Sequence, residues 1–212
     1  MEDATVLSLD SLRARALSCT ACPLSATRTN VVFGEGATQA RLMMIGEGPG
    51  EVEDTTGRPF VGPAGQKLDE VVNSVGLRRE DVYITNIVKC RPPGNRVPAR
   101  IEMETCAPYL EAQIALIQPA LIVALGNTPT QWLLPDAPGI TQSHGTFFSW
   151  RGGILVFPMF HPSYLLRYPS KEKGGPKYLT WIDIQKVKAW LDEHAVATGG
   201  AAAEGFEGAA SR

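Results

Sequence analysis

Nowhere in these 212 residues do apolar side chains run uninterrupted for anything near the about 18 needed to cross a bilayer, so no membrane-spanning segment is expected. The opening stretch, MEDATVLSLDSLRARAL, brings acidic side chains early and holds no apolar run of signal-peptide length, and the chain reads as cytoplasmic. Histidine is scarce, with three in the chain, and cysteine nearly so, with four, which is too few for a disulfide-stapled secreted scaffold of this size. No internal repeat is visible. From Ala195 onward the sequence AVATGGAAAEGFEGAASR almost lacks core-forming side chains, so 195–212 is expected to be a disordered tail and 1–194 a single domain. An excess of charge of either sign is lacking too: 20 Lys and Arg stand against 22 Asp and Glu, and the net value of −2 taken alone argues against a nucleic-acid partner. Its distribution argues otherwise. Residues 1–54 carry eight acids against four bases and 192–212 four against one, so the stretch between them carries +5. Such a local basic face binds phosphate as readily as it forms a solvated helix surface.

What is present is enough apolar content, 44%, to bury one sizeable α/β core. Apolar runs at 41–46, 82–88, 120–125 and 154–159 read as strands, and 141–150 is a further candidate. Helical spacing occupies about 8–18, 64–75, 98–118, 127–134 and 178–193, with Pro98 suited to a first helical turn. Strands alternating with helices predict a three-layer αβα domain around a central four-stranded, mainly parallel sheet.

The densest chemistry lies at 46–65, GEGPGEVEDTTGRPFVGPAG, directly after the first strand. Ligands bind outside the carboxyl ends of strands in open α/β sheets, and glycines there let the backbone approach closely. A phosphate-binding loop is contraindicated: Glu47, Glu51, Glu53 and Asp54 crowd the turn, and neither P-loop nor dinucleotide spacing fits. The loop suits a neutral, flat, hydrogen-bonding ligand, with Phe60 available to stack on it.

The four thiols fall as Cys19-x2-Cys22 and Cys90-x15-Cys106. This spacing is compatible with unrelated core cysteines, or with a tetrathiolate site for zinc or an iron–sulfur cluster. Spacing alone does not separate the two metals.

Four stretches, in order, resemble the family 4 uracil-DNA glycosylases, the iron–sulfur branch of the uracil-DNA glycosylase superfamily. They are the Cys19/Cys22 pair, the 46–65 segment, ITNIVKCRPP at 84–93 and HPSYLLR at 161–167, and the likeness spans roughly 10–192. The resemblance implies a [4Fe–4S] cluster held by Cys19, Cys22, Cys90 and Cys106, structural in role. It further implies an enzyme of base excision repair that flips uracil out of DNA and hydrolyses its N-glycosidic bond, leaving an abasic site.

Site roles follow from the likeness. Cleaving the bond leaves charge on the departing uracil, and His161 is the implied donor to its O2. The Asn86 amide presents a donor and an acceptor to the O4 and N3–H edge, a pattern cytosine reverses. Phe60 stacks on the flipped ring, Gly46 and Gly48 let the backbone reach it, and Glu53 occupies the position that excludes the thymine methyl. Gly48 departs from the best-known branch, which carries an aspartate there to orient the attacking water. That task passes to Glu47 or to backbone carbonyls of the loop. Leu165 and Leu166 are expected to wedge into the duplex while Ser163 and Arg167 meet the DNA backbone. The enzyme is expected to be monomeric and monofunctional, since no lysine occupies a matched position for a Schiff base. Two alternatives differ in class. A covalent DNA-trapping relative would carry a histidine in a basic loop where this chain reads RPPGNRVPAR at 91–100. A non-catalytic iron–sulfur nucleic-acid-binding module would not need Asn86 and His161.

Overall fold

A computed structural model describes residues 8–195, so the expected tail lies, from residue 196, outside the described residues. The described residues build one six-stranded sheet in the order β1-β3-β2-β4-β6-β5. Its centre is the parallel set β3 (Tyr83–Asn86), β2 (Leu42–Gly46), β4 (Leu121–Leu125) and β6 (Leu155–Met159). These are the four expected strands. Two-residue antiparallel strands, β1 (Glu35–Gly36) and β5 (Phe148–Ser149), extend the two edges. β5 falls in the 141–150 candidate, whereas β1 is too short for periodicity to mark it.

The central strands are apolar along their whole length because helices cover both faces of the sheet. Alternate residues go to opposite sides. Met43, Ile45, Ile122 and Ala124 join a core beneath α1 (Leu9–Leu17) and α4 (Arg100–Ile117). Leu42, Met44, Leu121 and Val123 join another beneath α3 (Pro63–Asn73) and α8 (Pro176–Glu193). In α3, Leu68 and Val72 stand one turn apart on the buried face, and Pro63 opens the helix where a missing N–H costs nothing. Pro98 does not occupy the first turn of α4. The helix starts two residues later, and Glu102 reaches back to accept from Ala99 N at 2.7 Å, closing the end that Pro98 was expected to open.

The acid-rich turn also differs from expectation. Residues Glu51–Thr56 form a short helix, α2, with Glu51, Glu53 and Asp54 in its first turn, where the helix dipole favours negative charge. Two of these carboxylates fold inward as staples. Glu53 Oε1 accepts from Val61 N at 2.9 Å and Gly62 N at 2.8 Å, and Asp54 Oδ1 accepts from Thr29 N at 2.9 Å.

Chain order fixes where a site can form. β3 lies on one side of β2 and β4 on the other, so the segments leaving the carboxyl ends of β2 and β4 diverge and open a crevice. α5 (Asn127–Leu133) leaves β4, α6 (Ile140–Ser143) follows, and α7 (Pro162–Arg167) leaves β6 on the same rim.

Candidate functional site

A cleft of about 1040 Å³ opens over these strand ends. Asn86, His161 and Phe60, which are distant in sequence, meet there. Asn86 is the last residue of β3 and 1% exposed, with Oδ1 lacking any hydrogen-bond partner. A buried acceptor left unpaired costs about 1–3 kcal/mol, which a ligand donor would offset. Gly46, its register neighbour on β2, permits this placement. A Cβ at Gly46 would lie 2.4 Å from Asn86 Oδ1 and 2.5 Å from Phe60 Cζ. Phe60 is buried and holds a left-handed backbone, φ 50°, rare for an aromatic residue. Its ring centre is 5.8 Å from that of His161.

His161 caps α7. Its Nδ1 accepts from Ser163 N at 3.1 Å and lies 2.8 Å from Ser163 Oγ. A backbone N–H pointing at Nδ1 requires a lone pair there, so the neutral ring carries its proton on Nε2. Burial pushes the imidazole down to about 4, with repulsion from Arg167 adding to the effect and Glu53 opposing it. The ring is therefore a neutral Nε2–H donor at physiological pH. A flat heteroaromatic ring lodged beside Phe60 would meet an amide at one edge and this N–H at another.

Glu47 leaves β2 across the crevice from α5, and Thr128 Oγ1 donates to its Oε2. The carbonyls of Gly46 and Glu47 already accept from Ile87 N and Val88 N, at 2.9 and 3.2 Å. The Glu47 carboxylate, which among the described residues accepts from Thr128 alone, keeps lone pairs free in the cleft, as do these carbonyls with one each. A Cβ at Gly48 would come within 2.8 Å of Val88 Cγ2, so the backbone at this position lies directly against β3's continuation. Glu53 lines the cleft while its carboxylate holds the 61–62 backbone.

At the rim, Leu166 is exposed and lines the cleft with Ser163 and Arg167. Leu165 does not reach it. The residue is 2% exposed, because α7 packs on α3 and successive helical positions point about 100° apart. Of the two leucines expected to act as a wedge, only Leu166 reaches the rim. Within the basic stretch, Lys188 pairs with Asp192, whereas the exposed Lys186 donates to Gly145 O at 2.9 Å and keeps its charge unpaired by a carboxylate among the described residues.

Cys19, Cys22, Cys90 and Cys106 border one small pocket behind β3, all as free thiols. Arg28 Nη1 donates to Cys90 Sγ at 3.2 Å and Lys89 N to Cys106 Sγ at 3.4 Å. Burial pushes the Cys90 thiol up to about 11 despite the Arg28 contact. No three Cys, His, Asp or Glu side chains among the described residues converge closely enough to hold a single metal ion.

Sequence reasoning passed over Lys89, although a lysine inside IVKC was a visible anomaly. It is fully buried, and Nζ donates to Gln113 Oε1 at 2.6 Å and to Thr85 Oγ1 and the Asn86 carbonyl at 2.7 Å each. Burial pushes its ammonium down to about 7. It joins the last turn of β3 to the cysteine pocket. Thr128 and Arg96, which also line the cleft, gave no signal in sequence.

A model of the uracil DNA glycosylase superfamily matches residues 33–185. The chain is 50% identical over 178 residues to the type-4 uracil-DNA glycosylase of Thermotoga maritima, covering 84% of this chain and 91% of that protein. It is 44% identical over 192 residues to the type-4 uracil-DNA glycosylase of Saccharolobus solfataricus, covering 87% of each. Identity to the type-5 uracil-DNA glycosylase of Mycobacterium leprae is 32% over 155 residues, covering 62% of this chain and 67% of that protein.

Proposed function

The chain belongs to the uracil DNA glycosylase superfamily, and from that premise we propose how its cleft excises uracil from DNA in repair. The observation that carries the reading is the meeting of Asn86, Phe60 and His161 around one cleft, with the Asn86 acceptor unpaired. Uracil turned out of the stack lies against Phe60. Asn86 Oδ1 accepts from N3–H and the amide nitrogen donates to O4. Cytosine offers an acceptor at N3 and a donor at C4, so it would leave both amide groups facing their like.

In the hydrolysis a water oxygen bonds to C1′ as the C1′–N1 bond breaks, and the bonding pair spreads over N1 and O2 of the departing uracil. His161 Nε2–H faces that growing charge, and its neutrality costs the site no counter-ion. The water's proton goes to Glu47, which Thr128 orients. Glu53 closes the C5 side of the ring, so that a methyl there would meet a carboxylate held in place by two backbone donors.

No lysine is among the residues lining the cleft, and Lys89 Nζ is spent on Thr85 Oγ1, Gln113 Oε1 and the Asn86 carbonyl. That arrangement supports a monofunctional glycosylase with no Schiff base. Leu166 is the wedge and Arg167 and Arg96 meet phosphate, in a protein we take to be monomeric and cytoplasmic. The four thiols line one pocket, which suits a [4Fe–4S] cluster that takes one thiolate per iron. Such a cluster supplies a structural link: Cys19, Cys22, Cys90 and Cys106 would join the α1 end and α4 to the segment that follows Asn86.

The deciding experiment is incubation with a uracil-containing oligonucleotide followed by alkaline cleavage. Strand scission at uracil alone, accompanied by free uracil, is the expected result. An oligonucleotide left intact by correctly loaded protein would overturn the reading.

A further inference from the structure

We propose that Arg79, which lies outside the cleft, is the positioning residue for Phe60, and that capture of uracil depends on its guanidinium fork. The inference rests on the stacking role given to Phe60 above. Phe60 holds a left-handed backbone, which an aromatic residue keeps only where its surroundings impose it. Two features impose it here. The first is close packing from α3: a Cβ at Gly65 would lie 1.9 Å from the Phe60 carbonyl oxygen. The second is Arg79, in the turn before β3. Its Nη1 donates to Phe60 O at 2.9 Å and its Nη2 donates to Pro59 O.

The two contacts are a consequence of the backbone conformation. In helical conformations of either hand, successive carbonyls point the same way, so a single planar fork holds both. In extended backbone they point to opposite sides, and one guanidinium would lose one of them. The fork thus selects helical over extended backbone at Phe60. It is itself aimed by two carboxylates, with Nε donating to Glu35 Oε1 at 2.9 Å and Nη1 to Asp69 Oδ1 at 3.1 Å. The chain of contacts runs from the sheet edge at β1 and from α3, through Arg79, to the ring beside His161 and Gly46. A more ordinary role is that Arg79 merely ties Glu35 to Asp69 as a surface ion-pair bridge. That role needs the charge and not the fork.

Arg79→Lys separates them, since it keeps the charge and removes the planar fork. The assay is steady-state uracil release from a single-stranded deoxyuridine oligonucleotide by the cluster-loaded full chain. Four proteins are compared: the unaltered protein, Arg79→Lys, Phe60→Ala and the double variant, with thermal midpoints recorded for each. If an unanchored Phe60 is competent about one tenth of the time, KM rises about tenfold while kcat stays within about twofold. In the Phe60→Ala background the same change should move KM by less than about twofold, because the group it acts through is gone. A tenfold rise of equal size in both backgrounds, or no rise in the first, overturns the inference. Should Arg79→Lys not fold, Asp69→Asn loosens the same fork and is read by the same cycle. Arg78→Ala, whose side chain pairs with Glu80 and Asp81 instead, should leave KM unchanged. Failure of the unaltered protein to release uracil would sink the proposed function, whereas release with an additive cycle sinks only the role of Arg79.

Discussion

Gly46→Ala tests the geometry of the cleft with one methyl group. The added carbon would lie 2.4 Å from Asn86 Oδ1 and 2.5 and 2.8 Å from Phe60 Cζ and Cε2, where ordinary contact begins at 3.4 Å. One partner must therefore retreat by about 1 Å. Gly46 cannot move instead, because its carbonyl accepts from Ile87 N at 2.9 Å and its strand is paired on both sides. Asn86 is held as well, through the Lys89 contact to its carbonyl. Displacing a positioning group by about 1 Å can cost on the order of 10² in rate. Overpacking a buried site costs about 1–3 kcal/mol, which a domain of ordinary stability survives. Single-turnover uracil release at excess enzyme should thus fall about a hundredfold while the protein still melts cooperatively. Gly76→Ala is the contrast: its added carbon meets nothing, but φ is +73°, so it should lower the melting temperature and leave excision alone. Release by Gly46→Ala within about threefold of the unaltered rate would refute the close packing of Asn86, Phe60 and the β2 backbone.

His161→Ala should keep its affinity for uracil-DNA while single-turnover excision drops about 10²–10³, the usual effect of losing one oxyanion-type donor. Because His161 is held at about 4, below its ordinary 6.5, excision should stay level as pH rises through 6.5. A rate that fell steeply there would require imidazolium instead. The same depression gives a stability difference from His161→Gln that is fully present above pH 6.5. It is lost as pH falls towards 4, because the unfolded chain takes up the proton first. Anaerobically purified protein should be brown, absorb near ~400 nm as thiolate-ligated iron does, and lose solubility on Cys90→Ala. Stoichiometric zinc without iron would refute the cluster. Asn86→Asp should admit cytosine, because a protonated carboxyl can donate where the amide accepts. Full uracil excision by Asn86→Ala would contradict the base-reading role.

Much of the scaffold is legible in local pattern. Runs such as LMMIG and LIVAL are apolar throughout because both faces of a parallel strand are covered, and that burial is written into consecutive residues. Asn86, Phe60, His161 and the four cysteines stand in motifs whose residue types already suggest their chemistry. Other features depend on what lies across the fold. Leu165 and Leu166 are equivalent as letters, and only the packing of α7 on α3 decides that the first is buried and the second faces the cleft. The acids at 51–54 read as a crowded turn because their backbone donors, at 29 and 61–62, are remote in sequence. Lys89 becomes a buried link only once β3 brings Thr85, Asn86 and Gln113 around its ammonium. Arg79 reads as a surface charge until the chain folds the Pro59 and Phe60 carbonyls onto its fork. Sequence by itself determined the four central strands and nominated the side chains with reactive groups, since burial period and residue type are local properties. Tertiary structure decided which charges are spent internally and which side chains face the ligand, since each of those depends on a partner brought from elsewhere in the chain.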